Sequence, residues 1–334
     1  MCATNLSQVA WTQPQQVDKY TDPAGEPVQD VRGINTSQSF DTSIAPTQGN
    51  RPKVALVLGG GGTRGAAHVG VLRVLQRAGV PIDMIVGTSM GAIVGGLFSA
   101  GINVESLERK FQDGSLMKSF INVPLTISLA TAPVLVLPRN LAHIEYDGLY
   151  KGTKFREYLD HTVPEYERNI ENMKIPFAAV ALNLVDGRPY ALTRGNLGYA
   201  LQASSAVPGL REPVQIGNQL FVDGGAVDNI PVDFARAMRA DIVIAVDVDE
   251  RFGPVPLDSF KAIGSVAKRL LTLQLASIDA VQLQKADFVI HPNVDGIGLI
   301  STKSKDAMQA IEAGEKAAWA MIPEIKAKFK QLGM

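Results

Sequence analysis

From residue 53 onward the chain alternates two hydrophobic patterns, and that alternation predicts its elements. Residues 53–58 form a short apolar run rich in β-branched side chains, the pattern of a strand buried on both faces. Gly59-Gly60-Gly61-Gly62-Thr63-Arg64-Gly65 comes next without a break. Residues 66–78 then place Val69, Val71, Leu72, Val74 and Leu75 at helical spacing, and Gly79 and Pro81 end the helix. A second strand over 82–86 runs into Gly87-Thr88-Ser89-Met90-Gly91, and a second helix covers 90–100, stopping at Gly101. Further strands are predicted at 177–184, 219–222, 242–248 and 287–291. Helices are predicted at 153–161, 197–204, 232–239, 257–284 and 304–330. Strands and helices in alternation point to a three-layer α/β/α domain.

Two segments break this pattern. Residues 3–50 are rich in Gln, Thr, Ser, Asp and Pro and show no sustained apolar period, so they read as a linker or loosely docked arm, or as a strand or short helix packed on the domain. The chain therefore divides into a polar arm, 1–50, and a folded domain, 51–334, with a core of about 53–250 and a C-terminal helical part of about 255–334. Residues 119–138 contain no Asp, Glu, Lys or Arg, but Pro124, Pro133 and Pro138 argue against a spanning helix. This run reads either as a buried loop with a short strand or as an apolar cover near a lipid-binding cleft.

Composition narrows the function classes. The 334 residues are 46% hydrophobic, ordinary for a globular core, and the net charge is −1. Without a block of Lys or Arg, tight electrostatic binding to nucleic acid is not expected. Contact with a membrane surface through apolar groups stays open. The single cysteine, Cys2, excludes an intramolecular disulfide. Met1-Cys2-Ala3 has two readings: a bacterial lipoprotein's mature start with Met added in front, or an initiator Met followed by Cys by chance. The first makes Cys2 a lipid anchor and places the protein at the periplasmic side of the cell envelope; the second leaves it in the cytoplasm.

The candidate chemistry sits at the strand ends. Gly87-x-Ser89-x-Gly91 between a strand and a helix is the context in which a nucleophilic serine is expected. The flanking glycines relieve crowding at a sharp turn, and the helix N-terminus favours developing negative charge. An acyl-transfer oxyanion needs donors already in place. The run Gly60-Gly61-Gly62-Thr63-Arg64-Gly65 supplies backbone N–H groups that converge, with Gly61 and Gly62 the best donors. The same run fits a dinucleotide fingerprint, but the acid expected at the end of the second strand is replaced by Gly87-Thr88-Ser89, and Asp83 lies at the wrong end. His68, one turn into the first helix, reads as a brace for the glycine loop.

The serine needs a base, and the residues alone leave two designs. Asp223, followed by Gly224 and Gly225, is one candidate, although an Asp before glycines is also a common turn. A Ser–His–Asp triad would use Ser89, Asp223 or Asp247, and His291. The ordered set of glycine loop, Gly87-Thr88-Ser89-Met90-Gly91 and Asp223-Gly224-Gly225 resembles the patatin-like phospholipase family. Ser204-Ser205-Ala206-Val207-Pro208-Gly209 resembles its bacterial members. The resemblance covers about residues 53–244. It implies the patatin-like three-layer fold with a mostly parallel sheet. It also implies a Ser89–Asp223 dyad without a catalytic histidine, hydrolysis of phospholipid or other acyl esters, and no metal or organic cofactor. Asn229 keeps the Asn-x-Pro that relatives often carry, whereas Asp228 adds a second acid beside it.

Overall fold

The computed structural model describes residues 51–121, 146, 148, 151–251, 253–262 and 265–334. Cys2, the 1–50 arm and residues 122–138 of the apolar run lie outside the described residues; residues 119–121 close a short helix. The strands are β1 (Val54–Leu58), β2 (Met84–Thr88), β3 (Phe177–Asn183), β4 (Arg188–Leu192), β5 (Val214–Ile216), β6 (Gln219–Asp223), β7 (Ile242–Val246) and β8 (Phe288–Ile290). The α-helices are α1 (Ala67–Arg77), α2 (Met90–Ser99), α3 (Val104–Gln112), α4 (Ser115–Phe120), α5 (Thr153–Thr162), α6 (Leu197–Ser204), α7 (Val232–Ala237), α8 (Ser265–Leu283) and α9 (Ser304–Gln331).

All eight strands form one sheet in the order β5-β6-β3-β2-β1-β7-β8, with β4 also on β3. Strands β3, β2, β1, β7 and β8 are mutually parallel, and the β4, β5 and β6 flank is antiparallel. The side-chain period of two sorts β1 onto both faces: Val54, Leu56 and Leu58 join one core cluster, Ala55 and Val57 the other. The first face carries α1, α2, α3 and α9, through residues such as Leu72, Ile93, Phe111 and Ile311. The second carries α7, through Phe234 and Ala235, with Leu283 of α8 at its margin. This is a three-layer α/β/α fold with a mostly parallel sheet.

The C-terminal part is built into this core rather than appended to it. Strand β8 pairs with β7, and α9 lies on α1 at backbone contact distance. A Cβ on Gly70 would sit 2.1 Å from the Ile311 carbonyl oxygen, and one on Gly314 would sit 2.0 Å from that of Ala67. Only glycine at both positions permits so close a crossing.

Helix prediction over 257–284 meets a break: residues 257–260 form a single 3₁₀ turn, and the α-helix begins at Ser265. Strands β4 and β5 and helices α3 and α4 are not among the elements the hydrophobic pattern predicts. β4 carries Pro189, which weakens a strand pattern, and β5 is three residues long. α3 does carry a signal: Val104, Leu107 and Phe111 are its buried face, and the Asn103 side chain caps it by accepting from the Ser106 N–H at 2.8 Å.

Candidate active site

The register of β3 brings the two candidate chemical groups together. Strand β2 runs parallel to β3 and ends with Thr88 opposite Val180. Strand β6 runs antiparallel to β3 and ends with Asp223 opposite Ala181, the next residue. Strand β4 pairs with residues 179–183 of β3 and so occupies the other edge. Hence β2 and β6 share one edge of β3, approach from opposite directions and stop at neighbouring positions. Ser89, the first residue beyond β2, and the side chain of Asp223, the last residue of β6, are thereby brought face to face.

They meet at hydrogen-bonding distance: the Ser89 hydroxyl donates to Asp223 Oδ2 at 2.6 Å, and each residue is only 7% exposed. Ser89 occupies φ 53° and ψ −121°, outside the regions an L-residue adopts without cost. The strain is held by tight packing on both sides. A Cβ on Gly91 would lie 2.1 Å from the Leu58 carbonyl oxygen, and one on Gly87 would lie 2.7 Å from the Ala92 nitrogen. Burial pushes the Asp223 carboxyl up to about 6, against hydrogen bonds from Ser89 and the Gly225 N–H and the positive charge of Arg211.

One short segment supports both groups from behind. The Ser89 N–H donates to Ser204, to its carbonyl at 3.1 Å and its hydroxyl at 3.0 Å. The Ser204 hydroxyl donates in turn to the Val180 carbonyl at 2.6 Å, and the Asp223 N–H donates to the Ala206 carbonyl at 3.0 Å. In the sequence Ser204 stands out only as part of a family-like string, with no role attached.

The glycine loop lies against Ser89: a Cβ on Gly60 would be 3.0 Å from the Ser89 Cβ. Several of its amides are already engaged. Gly60 N–H donates to Asn229 Oδ1 at 3.0 Å, Thr63 N–H to the Leu299 carbonyl at 2.9 Å, and Arg64 N–H to the Gly61 carbonyl at 3.1 Å. The amides of Gly61 and Gly62 have no partner among the described residues. The Arg64 side chain is buried, donating to the Ile297 carbonyl at 2.7 Å and pairing with Glu250 at 2.9 Å. His68 is fully buried with Nε2 2.8 Å from the Gly59 carbonyl, and burial lowers its pKa to about 4. It is therefore neutral and braces the loop at its root.

The other candidates lie elsewhere. His291 pairs with Asp247, Nδ1 to Oδ2, at 2.9 Å, and comes directly after β8. From β2 to β8 there are three inter-strand steps, about 14 Å at about 4.8 Å each. Asp83 takes the Val54 N–H at 2.7 Å and is paired with Arg51, at the strand-start end. Asp228 is buried, and burial together with the charge of Asp233 pushes its carboxyl up to about 7. It is not among the charges acting on Asp223. No group of three or more His, Cys, Asp or Glu arranged to hold a metal occurs among the described residues.

A family model described as Patatin-like phospholipase matches residues 56–236, more than half of the chain. The chain belongs to the patatin-like phospholipase family. Among curated proteins it is 34% identical over 200 residues to mouse (Mus musculus) patatin-like phospholipase domain-containing protein 7, covering 59% of this chain and 14% of that one. It is 30% identical over 293 residues to an uncharacterized NTE family protein of Mycobacterium tuberculosis, covering 80% of this chain and 46% of that one. The chain thus spans less than half the length of these relatives. Among solved structures it is similar to VipD from Legionella pneumophila at 12% identity and a TM-score of 0.45, over 96% of this chain and 72% of that one. The 56–236 match contains Ser89, Asp223, Ser204, Asn229 and the glycine loop, whereas Leu299, Ile297 and Glu250, which hold Thr63 and Arg64, come from the loops after β7 and β8.

Proposed function

We propose that this patatin-like protein hydrolyses acyl esters of lipids, phospholipids included, through a Ser89–Asp223 dyad. The observation that carries the reading is the 2.6 Å hydrogen bond from the strained Ser89 hydroxyl to a buried carboxylate, with no histidine in reach of either group among the described residues. Asp223 accepts the Ser89 proton as the hydroxyl oxygen attacks the acyl carbonyl. Its raised affinity for a proton makes it a better base than an exposed aspartate. The Gly61 and Gly62 amides and the start of α2 receive the oxyanion, a contribution typically worth about 2.7–4 kcal/mol per donor. The alcohol leaves with the proton returned by Asp223. Water, deprotonated by the same carboxylate, then releases the fatty acid from Ser89.

Membrane surfaces belong to this proposal because they present such esters. No helix among the described residues is long and apolar enough to cross a bilayer. The test is incubation with vesicles of mixed phospholipids and measurement of released fatty acids by mass spectrometry. Release is expected from wild type and lost in Ser89→Ala. Absence of release from every lipid, or release unchanged in Ser89→Ala, would overturn the reading.

A further inference from the structure

We propose that Asn229 is a positioning residue that ties the glycine loop to the Asp223 turn, so that the donors, the nucleophile and its base are held as one unit. The proposal rests on the reading of Ser89 and Asp223 as the catalytic pair. The Asn229 amide lies between the two glycine motifs. Its Oδ1 accepts the Gly60 N–H at 3.0 Å. A Cβ on Gly60 would come within 2.5 Å of that oxygen, and a Cβ on Gly225 within 3.1 Å. The two glycines therefore leave a slot that the Asn229 amide fills from both sides.

The amide's orientation is fixed at its other end. Its Nδ2 donates to Asp249 Oδ2 at 3.2 Å, and the Asp249 N–H is itself held by Asp247 Oδ1 at 3.0 Å. Gly60 demands an acceptor and Asp249 demands a donor, so only an amide in this orientation satisfies both. The consequence falls on the next two residues. With Gly60 committed to Asn229 and packed on the Ser89 Cβ, the neighbouring Gly61 and Gly62, whose amides have no partner among the described residues, are held in place as the donors of the proposed oxyanion site. Releasing Gly60 frees the loop to move by about an ångström or more, and a misplacement of that size costs on the order of 100-fold in rate.

The polarity of the tie gives a swap test. Asn229→Asp alone sets a new carboxylate against Asp249, with Asp279 beside both, and loses the donor to Asp249. The double variant Asn229→Asp, Asp249→Asn restores the pattern reversed: the new carboxylate accepts from Gly60 and from the new amide. Hydrolysis of a p-nitrophenyl acyl ester is measured for both, with melting temperatures. The expected result is a fall in kcat on the order of 100-fold in Asn229→Asp with KM within about threefold of wild type, and recovery to within about tenfold in the swap. A kcat within about threefold of wild type in Asn229→Asp would overturn the proposal. So would a swap that melts like wild type yet turns over no faster than Asn229→Asp. Should the single variant fail to fold, the folded swap decides alone: activity within about tenfold of wild type supports the tie and a loss of about 100-fold refutes it. Ser89→Ala in parallel separates the two levels: full activity there sinks the dyad reading, whereas a dead Ser89→Ala beside a wild-type-like Asn229→Asp sinks only the tie.

Discussion

Asp223→Asn is expected to abolish turnover and, at neutral pH, to make the protein more stable. The carboxyl's ordinary value is 3.8 and burial raises it in the folded state to about 6. The folded state therefore holds this proton more tightly than the unfolded chain does. The sign is fixed by that difference: below 3.8 both states are protonated and nothing is lost, and stability falls as pH rises through about 6. At about 1.36 kcal/mol per pH unit, the difference amounts to about 3 kcal/mol of destabilisation at about pH 7.5. Asn at 223 has no such burden. Its oxygen can accept the Gly225 N–H and its amino group can donate to the Ser89 oxygen, as the protonated carboxyl does. The net gain is therefore up to about 3 kcal/mol, or roughly 6–12 °C in melting temperature at about pH 7.5. Thermal unfolding at about pH 7.5 and at about pH 4 checks it, since at the lower pH the gain should nearly vanish. An Asp223→Asn protein less stable than wild type at the higher pH, or more stable by the same margin at both pH values, would refute the reasoning about the buried carboxylate.

Three further outcomes are expected from the same geometry. Activity, read as kcat/KM on a soluble acyl ester, should rise with pH through about 6 and then level off, because the proposed base is the deprotonated Asp223; a midpoint near the ordinary 3.8 would mean the carboxyl is not perturbed. Gly70→Ala should destabilise by about 1–3 kcal/mol, since α1 and α9 must part where the new Cβ meets the Ile311 carbonyl oxygen; an unchanged melting temperature would contradict the close crossing. His291→Ala should retain activity within about threefold, as three strand steps of about 4.8 Å each separate it from Ser89; near-complete loss would restore the triad.

Local pattern carries the frame of this fold a long way. The β1 run, the glycine loop, α1, β2 and the Ser89 turn succeed one another along a single short stretch of chain, and each is encoded by neighbours in sequence. α6 and α9 announce themselves by helical spacing for the same reason. The features that stay hidden depend on residues far apart in the chain. Asp223 on its own is an even choice between a base and a turn, and only the shared edge of β3 sets it opposite Ser89, 134 residues away. Asn229 shows no chemistry of its own, because its partners Gly60 and Asp249 lie 169 and 20 residues away. The reverse also occurs. Arg64 sits inside the glycine motif, yet its side chain is drawn off to Ile297 and Glu250 by contacts that no local pattern encodes. His291 and Asp247 read as two thirds of a triad; the two side chains do bond each other, but at a sheet position remote from the serine.

The central claim is that Ser89 is acylated with Asp223, and no histidine, taking its proton. The most direct measurement is mass-spectrometric trapping of the acyl-enzyme from a long-chain p-nitrophenyl ester, with peptide mapping, in wild type, Asp223→Asn and His291→Ala. An acyl adduct on the Ser89 peptide in wild type and in His291→Ala, and none in Asp223→Asn, is the predicted result. An adduct that persists in Asp223→Asn and disappears in His291→Ala would contradict it.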